Sequence, residues 1–220
     1  MCGRFAQFSP KDILKSQFNV EEITCDVVPS YNIVPSHRVL AIIHREKLRL
    51  GTLTWGLVPA WMYSKEKKAG LINARAETFA EKPAFRKAAA HRRCLIPADG
   101  YYEWARNGDE KIPYYIYLPS RTPMGFAGLW ESYRDEEGNR HSTCAIVTRG
   151  AKGRLSEIHA RMPVILDDVG RELWLDSSLT DKERLVGISA QYSVTDLSFH
   201  RVSDQVNRAS FNERKCIDRI

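Results

Sequence analysis

The chain has 220 residues, 43% of them hydrophobic, and a net charge of +6. That length fits one domain of roughly 100–200 residues, and the apolar content excludes a disordered tail. No apolar run approaches the ~18 residues a membrane helix needs, and Met1-Cys2-Gly3-Arg4 opens without a signal-peptide pattern. Residence in the cytoplasm, or on the nucleoid, is expected, with no membrane partner. The positive balance is compatible with a phosphate-rich partner without being diagnostic of one.

In chain order, Ser9-Pro10 predicts a helix start, with Ser9 as cap and Pro10 in the first turn. Residues 39–45 and 48–58 read as two strands, and the Ala-rich stretch 82–92 as a helix. Segments 93–106 and 111–118 flank Asn107-Gly108, a hairpin signal because both residues tolerate positive φ. A second hairpin is expected from 126–133 and 142–148, then a short strand over 162–166. Helices follow over 167–175 and 179–190, the latter capped by Thr180 or Asp181. Strands dominate. The fold expected is a single α+β domain over residues 1–220, with a mainly antiparallel, curved or barrel-like sheet and peripheral helices.

The five cysteines (Cys2, Cys25, Cys94, Cys144 and Cys216) show no CxxC and no zinc-like spacing. Their odd number in a reducing compartment argues against a disulfide framework. No metal and no cofactor is expected. Cys94 and Cys144 read as buried strand residues, and only Cys2 has a position that changes its chemistry. If Met1 is removed, Cys2 carries an α-amine titrating near roughly 8 and a thiol near roughly 8.5. The amine attacks an aldehyde to form an imine. The thiol then closes on the imine carbon, giving a five-membered thiazolidine. The ring-opened deoxyribose of an abasic site carries such an aldehyde on a polyanionic backbone. Gly3 leaves room for that backbone, and Arg4 suits an adjacent phosphate. Taken alone, the tetrapeptide is also consistent with a cysteine that merely follows the start codon.

Three other segments set polar groups where burial is invited. In Asn73-Ala74-Arg75, two-residue spacing puts Asn73 and Arg75 on one face of an extended chain, for a sugar or carbonyl oxygen and a phosphate; an Asn-bearing turn is the alternative. Glu103 lies among aromatics in Tyr101-Tyr102-Glu103-Trp104, where desolvation would raise its pKa and suit it to proton transfer; otherwise it faces solvent. His159 can change protonation near neutral pH, and Arg161 lies on its side of an extended chain; otherwise His159 is satisfied by backbone. His91, His141 and His200 sit in less persuasive contexts. Trp55 reads as core, and Trp61 as an exposed ring able to stack on a base of single-stranded DNA.

These residues, with Tyr31-Asn32-Ile33-Val34-Pro35, Trp55-Gly56-Leu57-Val58-Pro59, Asn73–Thr78, Asp99–Trp104 and Ile158–Pro163, resemble the SOS-response-associated peptidase (SRAP) family across nearly the whole chain. The resemblance implies a monomeric bacterial-type protein that crosslinks to abasic sites in single-stranded DNA through a thiazolidine on Cys2. By that likeness Asn73 would orient the sugar, Glu103 would assist proton transfers at the amine and ring, and His159 would act as acid or base on the opened sugar. Arg4, Arg75 and Arg161 would bind phosphates, while Pro35 and Trp61 shape the strand's path. Lyase-type cleavage and crosslink reversal belong to the same implication. Met62 follows Trp61 where the family often has a second aromatic, so stacking there would be weaker. The family name points to the rival reading, a thiol peptidase with Cys2 as N-terminal nucleophile, for which the sequence identifies no oxyanion hole. A second rival is a non-catalytic reader of modified DNA, in which Cys2 is incidental.

Overall fold

A computed structural model describes residues 2–62 and 70–220. Met1, whose removal is expected above, lies outside the described residues. The chain opens with β1 (Phe5–Gln7), α1 (Lys11–Gln17), β2 (Glu22–Ile23), β3 (Ser30–Ile33), β4 (Arg38–His44) and β5 (Leu48–Trp55). Next come β6 (Asn73–Arg75), α2 (Arg86–His91), β7 (Arg93–Ala98), β8 (Gly100–Asn107) and β9 (Glu110–Tyr117). Then follow β10 (Met124–Arg134), β11 (Arg140–Gly150), α3 (Leu155–Ile158), β12 (Arg161–Pro163) and β13 (Ile165–Leu166). The chain closes with α4 (Asp168–Leu175), α5 (Lys182–Gln191) and β14 (Ser198–Arg201). No helix among the described residues is long and apolar enough to cross a membrane.

The larger sheet runs β12-β11-β10-β7-β4-β5-β2, and β5 also pairs in parallel with β11. That extra pairing closes β4, β5, β11, β10 and β7 into a five-stranded barrel. Closure leaves those strands without open edges. Alternation along the strands then sorts the core. Val39, Ala41, Leu53, Trp55, Cys94, Ile96, Phe126, Trp130, Cys144 and Ile146 fill one cluster, inside the barrel. Leu40, Ile42, Leu50, Leu95, Ala127, Leu129, Ala145 and Val147 pack outward with Trp174 and Leu185 of α4 and α5. A second sheet, β14-β9-β8-β1-β3, packs its own aromatic cluster around Tyr102 and Tyr115.

The barrel-like α+β architecture agrees with the sequence reading, and several boundaries move. The 93–106 segment is two strands, β7 in the barrel and β8 in the second sheet, divided at Asp99. Asp99 is buried, and its carboxylate takes N–H groups from Phe8 at 2.6 Å and Ser9 at 2.9 Å, plus the Ser9 hydroxyl. Ser9 is therefore not a helix cap: its hydroxyl serves Asp99, and Pro10 holds the cap position of α1 without a side-chain bond. The 82–92 helix shrinks to α2, because Pro83 disfavours helical backbone at Lys82 and residues 76–85 form turns instead. The second strand expected over 48–58 ends at Trp55, where Gly56 turns away with φ 134°. The expected 162–166 strand divides into β12 and β13, which pair with β11 and β10 respectively. Asp181, not Thr180, caps α5, accepting from the Arg184 N–H at 2.8 Å.

Candidate functional site at the N-terminal cysteine

β1 lies antiparallel to β8, with Phe5 opposite Tyr101 and Ala6 opposite Gly100. The pairing runs on toward the N-terminus, where the Tyr102 N–H donates to the Arg4 carbonyl at 2.9 Å. Cys2 and Gly3 are thereby carried alongside Glu103 and Trp104. Gly100 leaves room for the Tyr115 ring of β9, which a Cβ there would strike. Cys2 is fully buried. Burial pushes its thiol well above the usual range, and the charge of Glu103 pushes the same way.

Asn73 reaches Cys2 from another element. β6 pairs in parallel with β11, Asn73 opposite Ile146, and the Asn73 amide donates to the Cys2 carbonyl at 2.9 Å. Its own Oδ1 is buried without a partner among the described residues. Ala74 packs inward while Arg75 is exposed, on the face Asn73 occupies. The adjacent Ile72 carbonyl accepts from the Trp55 indole at 2.9 Å, fixing β6 to the barrel.

Glu103 is only 4% exposed. Desolvation raises its pKa, and the proximity of His159 pulls the other way. His159 follows α3 in extended backbone, and its Nδ1 stands 3.6 Å from Glu103 Oε1. The same nitrogen is 3.0 Å from both the N–H and the carbonyl of Arg161. A neutral Nδ1 accepts from that N–H; once protonated it donates to the carbonyl and faces Glu103. The ring is thus held by the Arg161 backbone.

The cationic and aromatic candidates divide. Arg75 is exposed. Arg161 is clamped by the Glu77 carboxylate through bonds of 2.6 and 2.9 Å, and it also donates to the Thr148 carbonyl at 2.6 Å. Arg4 points into the second sheet, donating to Asn32 Oδ1 at 3.0 Å and the Val206 carbonyl at 2.7 Å, with its guanidinium over Trp104. Pro35 sits half-buried in the turn between β3 and β4. Trp61, on a 3-10 turn over Ala60–Met62, is 67% exposed. At the base of its segment, Leu57 and Leu71 exchange two N–H···O bonds of 2.9 Å. Trp55 is core, as are Cys94 and Cys144.

Residues 1–209 match the family described as SOS response associated peptidase (SRAP). The chain belongs to the SRAP family. It is 42% identical to the abasic site processing protein YoqW of Bacillus subtilis, over 99% of each chain. With the abasic site processing protein YedK of Escherichia coli the identity is 33%, over 94% of each chain. Among solved structures, a Bacteroides thetaiotaomicron protein superimposes with a TM-score of 0.79 at 28% identity, covering 86% of this chain and 85% of that one. A phage-related protein of Bordetella bronchiseptica gives 0.73 at 31% identity, over 92% and 95%.

Within this SRAP chain the geometry adds residues that sequence reasoning did not single out. Tyr101 shares a face of β8 with Glu103, and burial together with both Cys2 and Glu103 drives its phenol pKa well up. Strand alternation two residues before Glu103 was the available signal. Glu77 lies inside the Asn73–Thr78 motif, but its pairing with Arg161 spans 84 residues, which no local pattern reveals. Asn32 is buried and its amide donates to the carbonyls of Val206, Arg208 and Phe211, tying the C-terminal segment to β3.

Proposed function

We propose that this protein processes abasic sites in single-stranded DNA, acting as a monomer and capturing the lesion covalently through Cys2 once Met1 has been removed. The α-amine of Cys2 adds to the aldehyde carbon of the ring-opened deoxyribose, and the carbinolamine loses its hydroxyl as water to leave an imine. The Cys2 sulfur then bonds to the imine carbon while the thiol proton passes to nitrogen, closing the thiazolidine. Aldehyde and aminothiol yield ring and one water, with no redox partner.

The observation that carries this reading is the chain of contacts around Cys2: Asn73 bonds its carbonyl, the Glu103 charge acts on its thiol, and His159 stands 3.6 Å from Glu103. Asn73 holds the Cys2 carbonyl, which fixes the direction of the amine. Glu103, whose carboxyl pKa burial raises, takes a proton from the attacking amine and returns one to the departing hydroxyl. His159 supplies or accepts a proton at the sugar ring oxygen. Arg75 and Arg161 hold flanking phosphates, Arg161 exchanging Glu77 for DNA. Trp61 and Pro35 border the strand. Arg4 braces the strand that carries Trp104. The imine also provides the route to lyase-type strand cleavage and to reversal. A thiol peptidase requires a ready thiolate, and a thiol whose pKa burial has raised argues against that alternative.

The test uses protein whose intact mass verifies Met1 removal, incubated with single-stranded DNA bearing one abasic site and run on a denaturing gel. A heat-stable shifted band that disappears with Cys2→Ala is expected. Absence of the band from verified Met1-free protein overturns covalent capture, and peptide substrates become the next assay.

A further inference from the structure

The barrel has a second open end, opposite the Cys2 site. Near Cys2 its inward-facing rows terminate in Trp55 on β5 and Ile146 on β11. Followed the other way, the inward row of β4 runs Ala41, Ile43 and then Arg45. That of β5 runs Leu53, Gly51 and Arg49, and that of β11 runs Cys144, Ser142 and Arg140. Strand alternation brings Arg49 and Arg140 to one mouth, and Arg45 follows the end of β4 there. All three line a single cavity of about 260 Å³, with Trp130 and Leu53 in its wall. Arg45 lies over the Trp130 ring at 5.8 Å. Among the described residues, Arg49 has one carboxylate neighbour, Glu22 at 2.8 Å, and Arg140 a 3.4 Å bond to the Ser132 hydroxyl. Among the described residues, no carboxylate lines the cavity itself. Thr24, Thr52 and Ser142 also line it.

We propose that this mouth binds a phosphomonoester. Three guanidinium groups against one nearby carboxylate leave an excess of about two positive charges, matched to the nearly doubly charged group of a phosphomonoester at neutral pH. Arginine forks suit tetrahedral oxyanions bidentately. A phosphate alone underfills the space, since a water occupies about 30 Å³ of liquid, so the cavity also admits the sugar that bears the phosphate. Barrel mouths are a common place for such sites. The site is separate from Cys2 and does not depend on the reading of abasic-site chemistry above. Two sources supply this group: a free mononucleotide, or the terminal phosphate of an oligonucleotide.

Calorimetric titration of the full chain with thymidine 5′-monophosphate, inorganic phosphate and unphosphorylated thymidine decides the matter. Binding of the monophosphate is expected, weakened about tenfold or more in the Arg45→Gln/Arg140→Gln double variant and retained in Arg75→Gln. Thymidine is expected not to bind. The double variant has exposed side chains replaced, and an unchanged melting temperature confirms that it folds. A competing oligonucleotide, with or without a 5′-phosphate, distinguishes the sources: displacement by the phosphorylated form alone assigns strand ends, and displacement by neither assigns the free mononucleotide. Absence of monophosphate binding to the wild type, or equal binding by the double variant, overturns the proposal.

Discussion

The Asn73 side-chain amide donates to the Cys2 carbonyl at 2.9 Å across 71 residues of sequence, so β6 sets the direction in which the N-terminus points. A single hydrogen bond of this kind contributes about 1 kcal/mol to stability, but displacing a reacting group by an ångström costs roughly a hundredfold in rate. Asn73→Leu keeps the shape and removes the donor without burying a charge. It is expected to change the melting temperature little and to slow crosslinking by about tenfold to a hundredfold in single-turnover gels. Crosslinking at the wild-type rate would show that Asn73 does not position Cys2.

Glu103 couples activity to pH with a definite sign. Its carboxyl pKa is raised, first by burial, so the folded protein keeps a proton that the unfolded chain has already released. Stability is therefore full below the ordinary carboxylate pKa of 4.5 and falls as pH rises, until Glu103 ionises in the fold. Glu103→Gln removes this dependence. The melting temperature of the variant relative to wild type is expected to increase from about pH 4 to pH 7, with crosslinking reduced about a hundredfold. A difference that shrinks with rising pH would contradict the assignment.

The barrel and the β8–β9 hairpin were legible because β4, β5, β10 and β11 alternate cleanly and because the Asn107-Gly108 signal marks the turn, where Gly108 takes φ 60° while Asn107 ends β8. The break at Asp99 was not. A buried carboxylate that collects donors from Phe8 and Ser9 is a contact over some 90 residues, and it overrides the local capping signal at Ser9. At the site, Cys2, Asn73, Glu103 and His159 stood out through chemistry and spacing. Arg4 and Arg161 stood out by charge alone, and charge did not reveal that one braces Asn32 and the other is held by Glu77.

That second pair yields its own prediction. Arg161 lowers the pKa of Glu77 through their hydrogen bonds, so the clamp persists at mildly acid pH and competes with any phosphate. Glu77→Gln frees the guanidinium. Single-stranded DNA binding by fluorescence anisotropy is expected to tighten several-fold, with the magnitude of the salt slope increasing by about 0.7. The half-exposed pair itself contributes at most about 1 kcal/mol to folding, so the melting temperature should barely move. Weaker binding by the variant would mean that Glu77 organises Arg161 for DNA rather than competing with it.

Gly56 and Gly70 face each other at the base of the segment that presents Trp61. Gly56 has φ 134°, and a Cβ on Gly70 would lie 2.8 Å from the Gly56 Cα and closer still to its carbonyl. Backbone cannot yield as a side chain tip does, so Gly70→Ala must part the Leu57–Leu71 bridge. A cost of about 1–3 kcal/mol is expected, or roughly 2–10 °C in melting temperature for a chain of this length. Trp61→Ala separates the ring from the scaffold. Its ring is mostly in solvent, so stability should hold, while single-stranded DNA affinity drops by about 1–3 kcal/mol if one base stacks there. Calorimetry and anisotropy on the two variants read these effects independently. A Gly70→Ala protein that melts with the wild type would refute the close approach of the two glycines, and unaltered DNA binding by Trp61→Ala would remove that ring from the strand's path.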